Sequence, residues 1–514
     1  MSDAVAEKRA KTNRESAVGV AIITLAKGWF LLTGFAQPVL LTRFLGVEEY
    51  GLYGVVLGVI SILNNVVVAG SIQSMSRAVT EGGTAALRRG LLLHLVLGLT
   101  LSGLLMSVAQ LVGVGVLHDP RLPRLIRVGA LVVLNYSVYA ALVGALNGQR
   151  RFVGQAGLDI TFATLRTGVV VGAAALGFGV FGSIAGFAGA SGVILCLALA
   201  LNARDLRGGP AESAEGMGAF VARYARFFLP VLAYQLALNV VFQADLLVMK
   251  SLLPHATAED IAASARLAGL YKAVQNFAFL PYQLLLAVTF VVFPIVSKQT
   301  LEGDREGARA FVRGALRFSA LALGAMLAVI AGVPERLLLL AFPAEFAQGA
   351  PALRTLALGQ GAFALAVIGT TILLGAGRAV AATLVMSAML VAVMAGDAVG
   401  VTLSGGGVAA LLGTAAGTAA GCALGLAIVG VILRRSYGAF IPPASAARAA
   451  VAGVIAGLVG GRAPLPGKVG TLVVAGVIVA VYVALVLAMG ELGPSEREAL
   501  RRVLGRERGA KGAP

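Results

Sequence analysis

The chain has 514 residues, 58% hydrophobic and only 13% charged, with a mean hydropathy of +0.90. So little polar material cannot cover the surface of a soluble protein, so a soluble enzyme or binding module is excluded. The net charge of +17 is not a nucleic-acid signal, because Lys and Arg sit mainly in the short segments between long apolar runs.

Those runs read, in chain order, as fourteen spans at 17–42, 51–76, 90–117, 125–146, 153–178, 181–202, 219–249, 267–297, 311–332, 351–376, 379–402, 407–433, 446–461 and 469–489. Most reach about 20 residues, enough to cross a hydrocarbon core of about 30 Å as a helix. Backbone groups in lipid must be satisfied within each span. The expected fold is therefore an all-α polytopic membrane protein. The 67 glycines and abundant alanine suit close helix approach in lipid.

The expected organisation is a cytoplasmic N-terminus (1–16), a six-helix bundle (17–202), a polar Gly-rich linker (203–218), a second six-helix bundle (219–433), two further helices (446–489) and a charged tail (490–514). The longest loops are expected near 203–218, 250–266 and 298–310, and none can hold a soluble domain. Placing the N-terminus in the cytoplasm puts most of the 41 Lys and Arg on the cytoplasmic side. Both termini are then cytoplasmic. No cleavable signal is expected, and the tail is expected to touch anionic lipid.

Two halves are written into the sequence. RFLGVEEYGLYGVVL at 43–57 has a diverged echo, LAGLYKAV, at 267–274. Glu81-Gly82 with Arg88 is matched by Glu302-Gly303 with Arg309 at the same spacing. NGQRRF at 147–152 is matched by GAGRAV at 375–380, which sets Arg150 against Arg378. Six spans per half insert both halves the same way up, with a pseudo-twofold axis along the membrane normal. Tyr50 and Tyr53 are expected at the outer interface, where aromatics anchor helices.

FLGVEEYGLYGVVLGVISIL resembles the first-loop signature of bacterial polysaccharide and O-antigen flippases. ADLLVMKSLL at 244–253 and GLYKAVQNFAFLPYQLLLAVTFVVFPIVSK, which includes Phe293-Pro294, are similar to that family's spans seven and eight. These flippases belong to the multidrug/oligosaccharidyl-lipid/polysaccharide exporter superfamily. The resemblance implies two six-helix bundles in a V that alternate between inward-open and outward-open. It implies a cargo of undecaprenyl-diphosphate-linked oligosaccharide moved from the inner to the outer leaflet of the bacterial inner membrane. A polysaccharide polymerase and a chain-length regulator are the implied partners. Asp245 is followed by Leu246 where the family often has Arg, so an ion pair at that point is not implied.

Charges inside spans cost about 2.5–3.5 kcal/mol on insertion scales and by default mark function. Lys27, Arg166 and Arg317 are the candidate cavity cations for a diphosphate, Arg by bidentate contact. The plainer alternatives are snorkelling to the interface or pairing with a neighbouring carboxylate. Arg166 follows Asp159 by seven residues, so the two share a face of span five. Asp245, Asp397 and Asp159 are the candidate ion-coupling carboxylates, for H⁺ or Na⁺, or else are paired to groups such as Lys250 or Lys272. Asn64, Gln235, Asn239, Gln243, Gln275 and Asn276 form a candidate polar face for sugar hydroxyls, or else join helix to helix.

No catalytic signature accompanies these residues. There is no GxxxxGK[ST] phosphate loop and no HExxH. His94, His118 and His255 are far apart, and Cys196 and Cys422 both fall mid-span, so neither a metal site nor a disulfide is expected. No cofactor beyond a coupling ion is expected. The expectation is a transporter rather than an enzyme. A lipid II flippase and a drug or metabolite antiporter on the same fold are the rivals. A membrane polymerase or ligase would need a large outer loop, which the sequence lacks.

Overall fold

The protein is described by a computed structural model covering residues 2–207 and 216–491, with side chains from Leu25 onward except at Lys27, Phe227, Pro230 and Ala287. Helices joined by short turns make up the described residues, with no strand among them. The helices are α1 (Ser2–Gln110), α2 (Leu122–Gly148), α3 (Phe152–Ala175), α4 (Gly179–Leu201), α5 (Ala203–Arg207), α6 (Met217–Leu252), α7 (Ala258–Ala278), α8 (Leu280–Glu302), α9 (Arg305–Gly332), α10 (Pro334–Ala341), α11 (Ala350–Gly375), α12 (Ala379–Leu403), α13 (Ala409–Tyr437), α14 (Pro443–Gly461) and α15 (Gly467–Ala488).

Twelve of the described stretches are long and apolar enough to cross a membrane. The first of them, Gly28–Val116, has 89 residues and would be about 130 Å long if straight, four times a hydrocarbon core. It is not straight. Gly46 (φ 69°, ψ 178°) and Gly83 (φ 59°, ψ −143°) break the helical backbone within it. Both take positive φ, which only Gly adopts without a steric penalty. The expected count of fourteen rests on reading this stretch as three crossings.

The breaks define two ends of the bundle. At the Gly46 end, Arg121 before α2 pairs with Glu48, and Val180 in α4 donates its N–H to Glu49. At the Gly83 end, Arg223 of α6 pairs with Glu81, and Arg378 before α12 donates to Ser436 at the end of α13. The 208–215 part of the expected linker and the 492–514 part of the expected tail lie outside the described residues.

Several expected loops are shorter than the sequence suggested. Helix α7 starts at Ala258 because Thr257 and Asp260 form a reciprocal capping box. Helix α9 starts at Arg305 because Asp304 accepts the N–H of Gly307 at 2.8 Å. The expected continuous span at 267–297 is broken at Phe279, where Pro281 opens α8.

One turn corrects the sequence alignment of the halves. Arg151 N–H donates to Leu146 O and Arg378 N–H to Leu373 O, each over five residues. The residue before each is left-handed, Arg150 (φ 59°) and Gly377 (φ 73°). Arg151, not Arg150, is therefore the structural counterpart of Arg378, and Arg150 occupies the glycine position of the turn.

Two apolar cores hold the fold. One lies within residues 234–441, among α6, α8, α9, α11, α12 and α13. The other runs through α1–α4 and continues across the bundle into α7, the start of α11, α14 and α15.

Candidate functional site

The two copies of the repeated motif meet each other. Gly51 and Gly269 are the glycines of GLY at 51–53 and GLY at 269–271. A Cβ on Gly51 would collide with the carbonyl oxygen of Ala265 and lie 2.7 Å from Gly269 N. A Cβ on Gly269 would collide with the carbonyl oxygen of Val47 and lie 3.1 Å from Gly51 N. Each glycine thus faces the carbonyl four residues before the other, as a twofold relation requires. Three residues further on in each copy, a Cβ on Gly54 would lie 2.8 Å from the stem of Lys272.

The tyrosines beside these glycines are not interface anchors. Tyr50 and Tyr53 are 1% and 4% exposed. Asn276 donates to Tyr50 Oη at 2.8 Å, which ties α7 to α1, and Gln37 donates to Tyr53 Oη at 2.6 Å. Their glycine neighbours draw the helices too close for the rings to reach lipid. Tyr271, the partner of Tyr53 in the repeat, donates instead to Asp245 Oδ2 at 3.0 Å.

Asp245 is the centre of a closed polar group in α6. It accepts from Tyr271, from Gln275 Nε2 at 2.8 Å and from the Leu246 N–H at 2.8 Å. Asp397 of α12 is fully buried and accepts from Thr418 of α13 at 2.8 Å, while its Oδ2 has no hydrogen-bond partner. The two carboxylates are close enough to repel each other. Asp245, Asp397, Tyr271 and Thr418 thus bring oxygen donors from four helices together, with one buried carboxylate oxygen unsatisfied. Such a set fits a proton or a hard monovalent cation and not a soft metal. Among the described residues no three His, Cys, Asp or Glu cluster as a metal site. Thr418 was missed from sequence because it is one hydroxyl among many in an Ala/Gly-rich helix.

The expected sugar face is not one face. Gln275 is fully buried and committed to Asp245, and Asn276 is committed to Tyr50. Asn239 donates to its own helix at Gln235 O (2.8 Å), and Gln243 Oε1 is buried against Gly58. Asn64 is 8% exposed with its Oδ1 unpartnered. Both ends of Gln275 are occupied, since its Oε1 also accepts from Lys272 at 3.0 Å, while Asn276, bonded to Tyr50 through its Nδ2, still lines a cavity beside Gln283.

Among the candidate cations, Arg166 stands in an aromatic surround. Its guanidinium lies 5.1, 5.7 and 5.9 Å from the rings of Phe30, Phe162 and Phe187, and its Nε has no hydrogen-bond partner. Asp159 lies within electrostatic reach of Tyr136 and Tyr139 on α2. Lys27 lies outside the residues whose side chains are described. Arg317 takes the paired alternative within the protein. Glu491, 2% exposed, pairs with Arg317 (3.1 Å) and Arg448 (2.8 Å) and accepts from Ser445. Arg317 therefore fastens α9 to the start of α14 and the end of α15.

A latch at the Gly46 end was not visible in sequence. Lys250 of α6 pairs with Asp119 at 3.3 Å, the two side chains being 1% and 0% exposed, and donates to Ser264 at 2.6 Å. Arg121 grips the same carboxylate at 2.9 Å and reaches Glu48 at 2.6 Å. Burial alone would raise the Asp119 carboxyl, but Arg121 and Lys250 outweigh it and hold it below the usual carboxylate range. Beside this pair His118 and His255 stack face to face, centroids 3.7 Å apart and 6° from parallel. His118 takes left-handed φ (53°) to reach that position. Burial and the neighbouring His255 hold its pKa below the ordinary 6.5.

The arrangement is that of a known fold. The lipid II flippase MurJ in an inward closed conformation is similar with a TM-score of 0.72 at 14% identity, over 90% of this chain and 98% of that one. A multidrug resistance MATE family transporter of the same superfamily, inward-facing, has a TM-score of 0.62 at 16% identity, over 80% and 94%. A transporter of that superfamily from Pyrococcus furiosus has a TM-score of 0.57 at 15% identity, over 82% and 95%. No curated protein sequence matches the chain. The family described as polysaccharide biosynthesis protein matches residues 16–300, more than half of the chain. Its match over more than half of the chain places this protein in the polysaccharide biosynthesis protein family, with the helical fold of the transporters above.

Proposed function

We propose that the protein moves an undecaprenyl-diphosphate-linked oligosaccharide from the inner to the outer leaflet of the bacterial inner membrane by alternating access. The observation that carries this reading is the Gly51–Gly269 contact: two repeats joined along a local twofold axis at one end of a membrane bundle. Membership of a polysaccharide biosynthesis family supports a glycan-bearing cargo, and likeness to MurJ supports a lipid-linked one. With the N-terminus in the cytoplasm, the Gly46 end faces outward, and the Asp119–Lys250 latch holds the outer side shut. Arg166 and Lys27 supply positive charge for the diphosphate. Asp245, Asp397, Tyr271 and Thr418 take the coupling H⁺ or Na⁺. A polymerase and a chain-length regulator receive the product.

The test is leaflet exchange of a fluorescent undecaprenyl-diphosphate oligosaccharide in liposomes bearing the full-length protein. Arg166→Ala and Lys27→Ala are each expected to slow exchange about tenfold, the effect of one lost contact to a charged group worth about 1.5 kcal/mol. Unchanged exchange in both variants sinks the cation path. Movement of lipid II alone favours the MurJ-like reading, and movement of a cationic drug alone favours an antiporter.

A further inference from the structure

Helices α9 and α14 pack through glycine ridges that leave a groove on the lipid-facing side. Gly324, Ala328 and Gly332 recur every four residues on α9, and Gly453, Gly457 and Gly461 do so on α14, which places each set on one face. A Cβ on Gly332 would lie 2.8 Å from Gly457 Cα. Backbones that approach this closely have no side chains to fill the space along their flank.

The resulting groove, between α9, α11 and α14, has a volume of about 800 Å³. Its walls include Leu358, Val454 and Leu458, which are 54%, 63% and 53% exposed toward the surrounding hydrocarbon. Its lining is apolar except at one end, where Arg354 and Arg462 stand at the mouth. Arg354 donates Nε to Ala331 O at 2.9 Å, which leaves its two terminal nitrogens to face outward. Arg336 donates to Ala463 O and Leu465 O and so fixes the loop that begins at Arg462. Both arginines lie at the Gly46 end, where helices emerge into the headgroup layer. A long apolar slot under two cations is complementary to an amphiphile with an apolar chain and an anionic head.

We propose that this groove is a binding site for an anionic membrane phospholipid, whose acyl chain lies along α9 and α14 and whose phosphate is held by Arg354 and Arg462. The proposal does not depend on which cargo is carried. Its consequence is that a membrane lipid braces α14 against the second bundle.

The test is native mass spectrometry of delipidated full-length protein titrated with phosphatidylglycerol and, separately, with phosphatidylcholine of the same chains. One phosphatidylglycerol is expected to bind at least tenfold more tightly than phosphatidylcholine. Arg354→Gln/Arg462→Gln is expected to abolish that preference. Gly453→Leu is expected to block both lipids. A Cβ there meets only ordinary contacts, 3.6 Å from Gly324 O, 3.9 Å from Ala328 Cβ and 4.0 Å from Tyr482 Cε2, so the substitution starts without a backbone clash at a residue that lines the groove. Equal binding of the two lipids overturns the proposal. So does a preference that survives the double substitution, or stoichiometric displacement of phosphatidylglycerol by undecaprenyl diphosphate, which would assign the groove to the cargo. A melting temperature unchanged from wild type identifies a variant that still folds.

Discussion

Gly51 and Gly269 stand backbone to backbone, each aimed at the carbonyl four residues before its counterpart. The proposed alternating access has the halves part and rejoin, and such a contact can form only when no side chain lies between. Gly51→Ala or Gly269→Ala adds one methyl that meets backbone rather than a flexible side chain. Overpacking of this kind costs typically about 1–3 kcal/mol, and here the cost falls on the joined state alone. Each substitution is expected to lower cargo exchange sharply and to lengthen the distance between probes at 118 and 255. Gly34→Ala, where a Cβ meets nothing within 4 Å, is the control and is expected to change neither. Equal rates in Gly51→Ala and Gly34→Ala would show that the halves do not need this approach.

The latch beside this crossing responds to pH with a definite sign. The His118 pKa is held below 6.5 by burial and by His255, so the closed state disfavours the proton that the open state accepts. Its contribution is full above 6.5 and is lost as the pH falls below that value toward the depressed pKa. Asp119 is held below the ordinary carboxylate range, so its ion pair survives to lower pH and fails in a second, more acid step. The groups facing this cluster are Glu48, Asp119, Arg121, Lys250 and His255. Distance measurements between labels on the two halves should show the Gly46 end loosening below pH 6.5. His118→Asn/His255→Asn should remove this first step and keep the second. Lys250→Met leaves Asp119 with Arg121 only, and removal of a buried partner costs about 3–5 kcal/mol. The double variant with Asp119→Asn should recover part of the lost melting temperature.

How much of this was legible in the sequence depends on where each partner lies. Span positions and duplicated halves were readable because apolar runs and repeated GLY triplets are local signals. The packing of the copies against each other was not, because 47–51 and 265–269 are joined only by the fold. Asp245 and Asp397 were found by the cost of a charge in a span, yet Thr418, which completes Asp397, carries no such cost. The latch escaped for the same reason. Asp119 and His118 read as an ordinary polar loop until Lys250 and His255 arrive from more than a hundred residues away. The Arg317 pair was hidden in the opposite way, since its partner Glu491 lies beyond the last span.

Arg150 offers a test of the repeat itself. It adopts φ 59° in a turn whose second-half and α3–α4 counterparts are Gly377 and Gly177, with φ 73° and 82°. A left-handed non-glycine residue costs about 1–2 kcal/mol. Arg150→Gly is expected to raise the melting temperature and Gly377→Arg to lower it, both without changing cargo preference. No change from Arg150→Gly would mean that its long side chain contributes as much at this surface as the backbone loses.

Asp397 carries the last prediction, on coupling. Its Oδ1 is held by Thr418 while Oδ2 is buried without a partner, and the Asp245 carboxylate is within repulsive reach. Lys272 of α7 is within electrostatic reach of Asp245 and compensates that carboxylate, so the charge that calls for a cation or a proton is that of Asp397. Asp397→Asn removes one charge at constant shape and is expected to leave the fold intact. It should abolish the acceleration of cargo exchange by the coupling gradient. Thr418→Val removes the hydroxyl donor alone and should weaken that acceleration about tenfold, as loss of one bond to a charged group worth about 1.5 kcal/mol predicts. The measurement is exchange in liposomes under an imposed Na⁺ gradient at fixed pH, then under a pH gradient at fixed Na⁺. Whichever gradient stops acting in Asp397→Asn identifies the ion. If both gradients act on Asp397→Asn as they do on the native protein, the cluster is structural, and coupling must be sought at Asp159 in the first half.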